Sequence, residues 1–291
     1  MPTRADFHNL MRRGGDRLVF APLALDPMTA LLAHRAGFEA VYVGGGALGY
    51  ALGISEALLE AEDLATPTRR IAERLGDNVA IIVDGGVGFG DAVHTARTIN
   101  VIENAGAHAI EIEDQIAPKR AHHHKGVEHL VSTEEMCGKI KAALDARRDP
   151  HFLIIARCNA TQSEGAEAAV ERANAYAEAG ADLLMLRARN DAEFATLTAG
   201  TRAPLATLSI WAMKPEAEMR AAGYTLIMDP SSGTVLTYRA LSNAFARLRA
   251  GNDIGLTRPE IDATMKDVQN LVGLEALYAL EAETTERDTY T

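Results

Sequence analysis

The sequence predicts a single (β/α)8 barrel with an extra C-terminal helical segment, and three observations predict it. First, a helix ending in Ala-Gly runs at once into an apolar stretch four times. The motif reads RAGFEAVYVGG at Gly37, NAGAHAIEIED at Gly106, EAGADLLMLRA at Gly180 and AAGYTLIMDP at Gly223. A glycine just past a helix can take the left-handed conformation that ends it, and an apolar run without alternation suits a strand buried on both faces. Second, a βα unit takes roughly 30 or more residues, so the gaps between these motifs leave room for further units. Third, the 291 residues show no break in composition, and α/β barrels of this size fold as one domain. An open, doubly wound sheet is the competing arrangement.

Taken in order, the strands are expected at 17–23 (RLVFAPL), 39–45 (EAVYVGG), 79–85 (VAIIVDG), 108–114 (HAIEIED), 152–158 (FLIIARC), 181–187 (ADLLMLR), 204–210 (PLATLSI) and 225–230 (TLIMDP). Helical stretches such as PMTALLAHRAG and EDLATPTRRIAERLG alternate with them. The barrel is expected to occupy residues 1–251, followed by a helical extension and tail over 252–291. In that extension Ile261, Met265, Val268, Leu271, Leu274 and Leu277 recur at helical spacing. With no strand to return to, this stripe is expected to pack on a neighbouring subunit or across the barrel bottom. The last residues, TTERDTYT, read as a frayed tail.

Composition narrows the function. Asp plus Glu number 40 against 29 Lys plus Arg, a net charge of −11, which disfavours nucleic acid and anionic membrane as partners. Two cysteines, Cys137 and Cys158, make no disulfide framework and no metal spacing, which suits a reducing cytosol. The N-terminal stretch lacks the apolar core of a signal peptide, and no later run approaches a membrane span. A cytoplasmic protein is expected.

In a barrel of this class, side chains at the C-terminal ends of the strands face the active site. Those ends carry Tyr42 with Gly44, Gly45 and Gly46, then Asp84 with Gly85 and Gly86, then Glu113 and Asp114, then Arg157 with Asn159, then Arg187, and Asp229 with Ser231 and Ser232. The glycine run is either a tight turn or a set of N–H groups that cradle a carboxylate or phosphate. Asp84 caps the next helix or binds metal or substrate; Asp91 is the better capping candidate. Adjacent strand residues point opposite ways, so one of Glu113 and Asp114 faces the barrel mouth. Arg157, at the end of an apolar run, needs an anionic partner. Tyr42 is either a reactive hydroxyl or a packed aromatic.

After the fourth strand comes IEDQIAPKRAHHHKG. His122, His123 and His124 are consecutive and cannot together coordinate one ion from regular structure, and H-x-x-x-H spacing is absent. With Lys119, Arg120, Lys125 and His129 they make a basic loop in an acidic protein. It is either a solvated turn or a lid over an anionic substrate.

These residues together resemble the isocitrate lyase/phosphoenolpyruvate mutase superfamily. The resemblance runs over roughly residues 10–250 and lies in LDPMTALLAHRAGFEAVYVGGG, IIVDGGVGFGDA, AIEIEDQIAPKRAHHHKG and LIIARCNA. It implies a (β/α)8 barrel, a dimer of dimers exchanging a C-terminal helix, and cleavage or formation of C–C or P–C bonds beside an α-oxo acid. Mg²⁺, with Mn²⁺ as a substitute, would hold the enolate charge. By matching position, Gly44–Gly46 would bind the substrate carboxylate and Asp84 and Glu113 would flank the metal. Arg157, with Asn159, would clamp the oxo acid, and Tyr42 would lie near the hydroxyl that loses its proton. Lys119 and Arg120 would open the gating loop, and His123 would match that loop's histidine.

The chain also departs from the pattern. Ala121 stands at the position of the lyase cysteine, Gly86 replaces one Mg²⁺-associated carboxylate, and Gly44 replaces a serine. Arg187 and Leu208 stand where a glutamate and an asparagine are expected. These departures argue against ordinary isocitrate or methylisocitrate cleavage; what the resemblance implies is a Mg²⁺-dependent carbon–carbon lyase like the 2-methylisocitrate and dimethylmalate lyases, acting on a 2-hydroxy or 2-oxo carboxylate. The alternatives are an oxaloacetate-type decarboxylase or hydrolase, a phosphonate mutase, or a barrel without catalysis. His123 is expected to face inward as an acid, its pKa depressed by neighbouring cations.

Overall fold

The computed structural model describes residues 3–12, 17–210 and 214–286; residues 287–291 of the expected tail lie outside the described residues. Eight parallel strands are present: β1 (Val19–Ala21), β2 (Ala40–Val43), β3 (Ala80–Asp84), β4 (Ala109–Glu113), β5 (Leu153–Arg157), β6 (Leu183–Met185), β7 (Leu205–Leu208) and β8 (Tyr224–Met228). Their order is β1-β8-β7-β6-β5-β4-β3-β2. The gap between β1 and β2 is closed by a parallel bridge between Leu23 and Tyr42. There the Tyr42 N–H donates to Pro22 O, and the Ala24 N–H donates to Tyr42 O, both at 2.9 Å. This is a (β/α)8 barrel of the TIM type.

The helices in chain order are α1 (Arg4–Arg12), α2 (Pro27–Arg35), α3 (Gly45–Ala51), α4 (Ala61–Leu75), α5 (Ala92–Asn104), α6 (Thr133–Ala146), α7 (Ala160–Ser163), α8 (Ala166–Glu178), α9 (Asp191–Gly200), α10 (Glu216–Ala221), α11 (Ser232–Arg249), α12 (Arg258–Val272) and α13 (Leu274–Glu283). The four repeated glycines sit where expected, at φ +92° (Gly37), +97° (Gly106), +108° (Gly180) and +91° (Gly223). At Gly106 space matters as well, because a Cβ there would lie 2.6 Å from the Ala72 Cβ.

The strands are buried along nearly their whole length, with Phe20, Arg157 and Leu208 half-buried, yet their two faces meet different neighbours. Ala40, Tyr42, Ala80, Ile82, Ala109, Leu153 and Ile155 pack with Leu183, Ala206 and Leu226 inside the barrel, and Phe7 and Met11 of α1 join them. The alternate residues Val41, Val43, Ile81, Val83, Ile110, Ile112, Ile154 and Ala156 pack in the outer layer, with helix residues such as Leu64, Ile99 and Ile140. The same period of two places the polar strand ends. Asp84, Glu111, Glu113 and Arg157 continue the inward-facing series at the C-terminal ends of β3, β4 and β5. Asp84 is in register with Glu111, and Glu113 with Arg157.

The chain divides into two compact units between Thr234 and Val235, within α11. In the second unit, α12 starts with a Thr257–Glu260 capping box and stops at Gly273 in the left-handed region, where α13 begins. None of the residues of α11, α12 or α13 is buried. Tyr238, Phe245, Met265, Leu277 and Leu280 are among the large apolar side chains left exposed. No helix among the described residues is long and apolar enough to cross a membrane.

Candidate active site

The inward residues of β4 organise the site. Glu111 and Glu113, two apart, project into the barrel mouth, while Asp114 turns to the outer layer. There Asp114 accepts from the Tyr176 hydroxyl (2.8 Å) and from the Asn159 N–H (2.9 Å). Of the adjacent pair Glu113 and Asp114, Glu113 is the one that faces the mouth. Its Oε2 accepts from Asn159 Nδ2 (3.0 Å) and lies 3.4 Å from Arg157 Nε; its Oε1 meets the Lys119 ammonium at 2.6 Å. Glu111 joins two expected residues. Its Oε2 accepts from the Tyr42 hydroxyl (3.0 Å) and its Oε1 from Arg157 Nη1 (2.9 Å). Arg157 Nε also donates to Asn159 Oδ1 at 2.9 Å. The anionic partner that Arg157 needs is thus supplied by β4.

Asp84 does not cap α5; Asp91 does. Asp84 Oδ2 accepts from the Gly45 N–H (3.0 Å) and Oδ1 from the Gly86 N–H (2.9 Å). The glycine run is the N-terminus of α3, and each member is crowded. A Cβ would lie 2.9 Å from a Tyr42 ring carbon at Gly44, 3.1 Å from Asp84 Oδ2 at Gly45 and 2.9 Å from Glu56 Oε2 at Gly46. Glycine here lets the backbone reach the acids closely. Gly86 differs: a Cβ at that position meets nothing within 4 Å.

The basic loop folds over these acids. Lys119 forms ion pairs with Glu56, from the single turn Glu56–Leu58, and with Glu113. His123 sits in the 3-10 turn Ala121–Lys125. Its Nδ1 donates to Arg120 O (2.7 Å) and its Nε2 meets Glu56 Oε1 (2.6 Å). His124 instead reaches Tyr50 Oη (3.3 Å) and Ser55 Oγ (3.1 Å) at the surface. The His122 and Arg120 side chains are exposed, and Arg120 contributes its carbonyl. His123 alone of the three histidines turns inward.

One expectation needs correction. The pKa of His123 is raised, not depressed: burial would lower it, but the bonds to Glu56 and to the Arg120 carbonyl outweigh burial and the repulsion of Lys119. Both ring nitrogens face acceptors, which favours the charged ring. The Tyr42 hydroxyl, which the resemblance sets near the hydroxyl that loses its proton, is held well above its usual pKa by burial and by the charges of Asp84 and Glu111. A phenolate among those carboxylates is disfavoured, and Glu111 is the carboxylate that accepts the Tyr42 hydrogen bond. Burial, followed by the charge of Asp84, pushes Glu111 up to about 7 despite Arg157. Asp84 is raised by burial, Glu56 and Glu113. Glu113 goes the other way, to about 2, because Lys119 and Arg157 overcome its burial.

Four carboxylates (Glu56, Asp84, Glu111 and Glu113) face the two fixed cations Lys119 and Arg157 and the His123 imidazolium. Burial first, and then the repulsion among these acids, raises the pKa of Asp84 and of Glu111, and a mouth with more acids than cations suits a divalent cation. Hard oxygen donors such as Asp84 and Glu113 fit Mg²⁺, which is commonly held by one or two carboxylates with water and substrate oxygens completing its octahedron. Among the described residues no group of three His, Cys, Asp or Glu side chains could hold a metal ion by itself, so external oxygens are needed.

Two cavities flank the cluster. One, of about 510 Å³, is lined by Glu56, Asp84, Lys119, His94 and Arg97 together with apolar side chains such as Leu64 and Phe89. The other, of about 190 Å³, is lined by Glu128, Arg157, Asn159, Met185, Arg187 and Leu208. Sequence reasoning missed Glu111, Glu56 and Glu128. The Glu-Ile-Glu alternation of β4 was a usable signal for Glu111; nothing local marked the other two.

A TIM-type barrel whose mouth gathers acids for a hard divalent cation, an arginine, and a Tyr–Glu pair suited to proton transfer is the frame of an enzyme acting on small carboxylates. The match to the phosphoenolpyruvate phosphomutase family model covers residues 7–249, and the chain belongs to that family. It is 34% identical over 280 residues to 2,3-dimethylmalate lyase of Eubacterium barkeri, covering 91% of this chain and 93% of the relative. It is 37% identical over 279 residues to 2-methylisocitrate lyase of Aeropyrum pernix, covering 93% and 88%. Among solved structures, a phosphonopyruvate hydrolase in complex with oxalate and Mg²⁺ superposes with a TM-score of 0.85 at 30% identity, over 98% of this chain and 100% of that one.

Proposed function

We propose that the protein is a Mg²⁺-dependent carbon–carbon lyase that cleaves a 2-hydroxy carboxylate of the 2-methylisocitrate or 2,3-dimethylmalate type and releases pyruvate or a related oxo acid. The observation that carries this reading is the Tyr42–Glu111–Arg157 chain, set on the same inward face as Asp84 and Glu113. A carboxyl group titrating at about 7 is matched to proton transfer near neutral pH. The substrate hydroxyl gives its proton to Glu111 through the Tyr42 oxygen. Arg157 offers its guanidinium to the substrate carboxylate, with Asn159 holding the guanidinium in plane and the N–H groups of Gly44–Gly46 lying nearby. Asp84 and Glu113 would hold Mg²⁺ (or Mn²⁺), which would supply positive charge to stabilise the developing enolate. Lys119 and His123, tied to Glu56, close the loop on the site and exclude water, while Arg120 stands at its entrance to meet an incoming anion.

A second reading, hydrolysis of an oxo diacid, draws on the likeness to the phosphonopyruvate hydrolase and on Ala121, which brings no thiol into the loop. A panel of 2-methylisocitrate, 2,3-dimethylmalate, oxaloacetate and phosphonopyruvate, with pyruvate and glyoxylate detection and with or without Mg²⁺, separates the two. Cleavage of the hydroxy acids supports the lyase. Turnover confined to the oxo acids supports the hydrolase, and no turnover supports a barrel without catalysis. The exposed apolar faces of α11, α12 and α13 support a homo-oligomer, a dimer of dimers in which the segment 252–291, set apart from a barrel domain of 1–251, packs on another subunit. The acidic surface supports a cytoplasmic enzyme that engages neither nucleic acid nor membrane.

A further inference from the structure

The return limb of the loop over 116–130 is tied to the barrel at several points. Gln115 and Leu130 form an antiparallel bridge, the Ile116 N–H donates to His129 O (2.8 Å) and the Val131 N–H to Asp114 O (2.9 Å). From α7, Gln162 Nε2 donates to the Gly126 carbonyl at 2.8 Å. These ties carry Glu128 to the wall of the 190 Å³ cavity that also exposes Arg157, Asn159 and Arg187. Every other carboxylate of the site meets a cation or a hydrogen-bond donor. Glu128 does not: its Oε2 is buried with no hydrogen-bond partner among the described residues. Although Glu128 as a whole is half-buried, leaving that one buried oxygen unpaired is costly for a carboxylate, and the neutral acid avoids part of the cost. Burial and the charge of Glu113 raise the Glu128 pKa, against the opposing pull of Arg157, Lys119 and His123.

We propose that Glu128 is the acid that returns a proton to the carbon released when the substrate's C–C bond breaks; this rests on the lyase reading of the site. The hydroxyl proton passes to Glu111 and a carbonyl forms at the hydroxyl carbon. The C–C electron pair stays with the departing carbon and is spread into its carboxylate, which the guanidinium groups of Arg157 and Arg187 attract. The Glu128 O–H bond then breaks as the new C–H bond forms. Glu128 is left as carboxylate and regains its proton from solvent, as Glu111 gives its own back. His123 is poorly placed for this role, because both its nitrogens are engaged with Arg120 O and Glu56.

The charged and titratable groups that face Glu128 are Glu113 from β4, Arg157 and Cys158 at the end of β5, Lys119 and His123 from the loop, and Arg187 and Arg189 beyond β6. Of these His123, whose pKa is raised by Glu56 and the Arg120 carbonyl against its burial, also changes charge with pH, so the pH test is read as a difference between variants. The Mg²⁺-loaded wild type, Glu128→Gln and Glu128→Asp are compared on 2,3-dimethylmalate and 2-methylisocitrate across pH. Glu128→Gln is expected to lower kcat roughly 10²–10⁴-fold with KM within a few-fold. It should also abolish the fall of kcat on the alkaline side, which Glu128→Asp keeps at a shifted pH with partial activity. If Glu128→Gln does not fold, the position of the Glu128→Asp alkaline limb decides. Unchanged kcat in Glu128→Gln, or an alkaline limb identical in all three proteins, overturns the assignment while leaving the lyase reading intact. A wild type that cleaves neither substrate overturns both.

Discussion

Replacing Glu111 by glutamine tests the electrostatics and the chemistry of the site together. Glutamine keeps the shape and can still accept from the Tyr42 hydroxyl, but it removes a buried negative charge that Asp84 opposes. In the metal-free protein the Glu111 pKa rises from 4.5 to about 7. Below pH 4.5 the carboxyl is protonated in both folded and unfolded chains and contributes no penalty. Between 4.5 and 7 the unfolded chain ionises first, so the native state binds more protons and stability falls as pH rises, by at most about 1.4 kcal/mol per unit. Above 7 the full difference applies, on the order of 3 kcal/mol. Glu113 and Glu56, whose pKa values are lowered, have delivered their stabilisation by pH 4.5 and do not mask this window. Urea unfolding in EDTA at equal protomer concentration, at pH 4.5 and 8, should show Glu111→Gln gaining roughly 3 kcal/mol relative to wild type between the two. Its turnover with Mg²⁺ should drop about 10²–10⁴-fold. A wild-type-to-variant difference that is the same at both pH values would refute the reasoning about the buried charge.

Calorimetry should show weak Mg²⁺ binding to the free protein and clear binding with oxalate present, because two carboxylates alone cannot complete the octahedron; tight binding to the free protein contradicts this. Lys119→Met should strengthen Mg²⁺ binding to the free protein, by releasing Glu113 Oε1 from the ammonium, and weaken oxalate binding; unchanged affinities would show that the ammonium does not compete. The Glu56–His123 contact stabilises the loop while the ring is charged. Its contribution is complete below pH 6.5 and is lost as pH rises through the raised folded pKa. Limited proteolysis of the loop should therefore accelerate at alkaline pH in wild type and be fast at all pH values in His123→Ala, with His122→Ala like wild type. Truncation after Gly251 should lower the solution mass measured by light scattering; an unchanged mass means that the C-terminal helices do not hold subunits together.

The strand ends were legible because the signals are local. An unalternating apolar run followed by an acid or arginine marks a strand tip, and the Ala-Gly stops mark helix ends, so Asp84, Glu113 and Arg157 could be placed from short windows. The alternation Glu111-Ile112-Glu113 was equally local. Its meaning was hidden by the loop after β4, where consecutive histidines look more chemical than a glutamate inside an apolar strand. Glu56 and Glu128 lie in irregular segments, where neither period nor capping pattern says which way a side chain points.

By itself the sequence determined the number and order of the barrel units, the tips at which polar groups collect, and the mismatch of charge that disfavours nucleic acid. Only the tertiary structure decided which acid serves which partner. Tyr42 meets Glu111 across 69 residues and Arg157 meets it across 46, pairings that exist because the strands close into a ring. The same closure makes Glu111 and Asp84 weak acids, Glu113 a strong one and His123 a cation. A pKa is the sum of burial and of every charge nearby in space, and neither quantity is a property of neighbours along the chain.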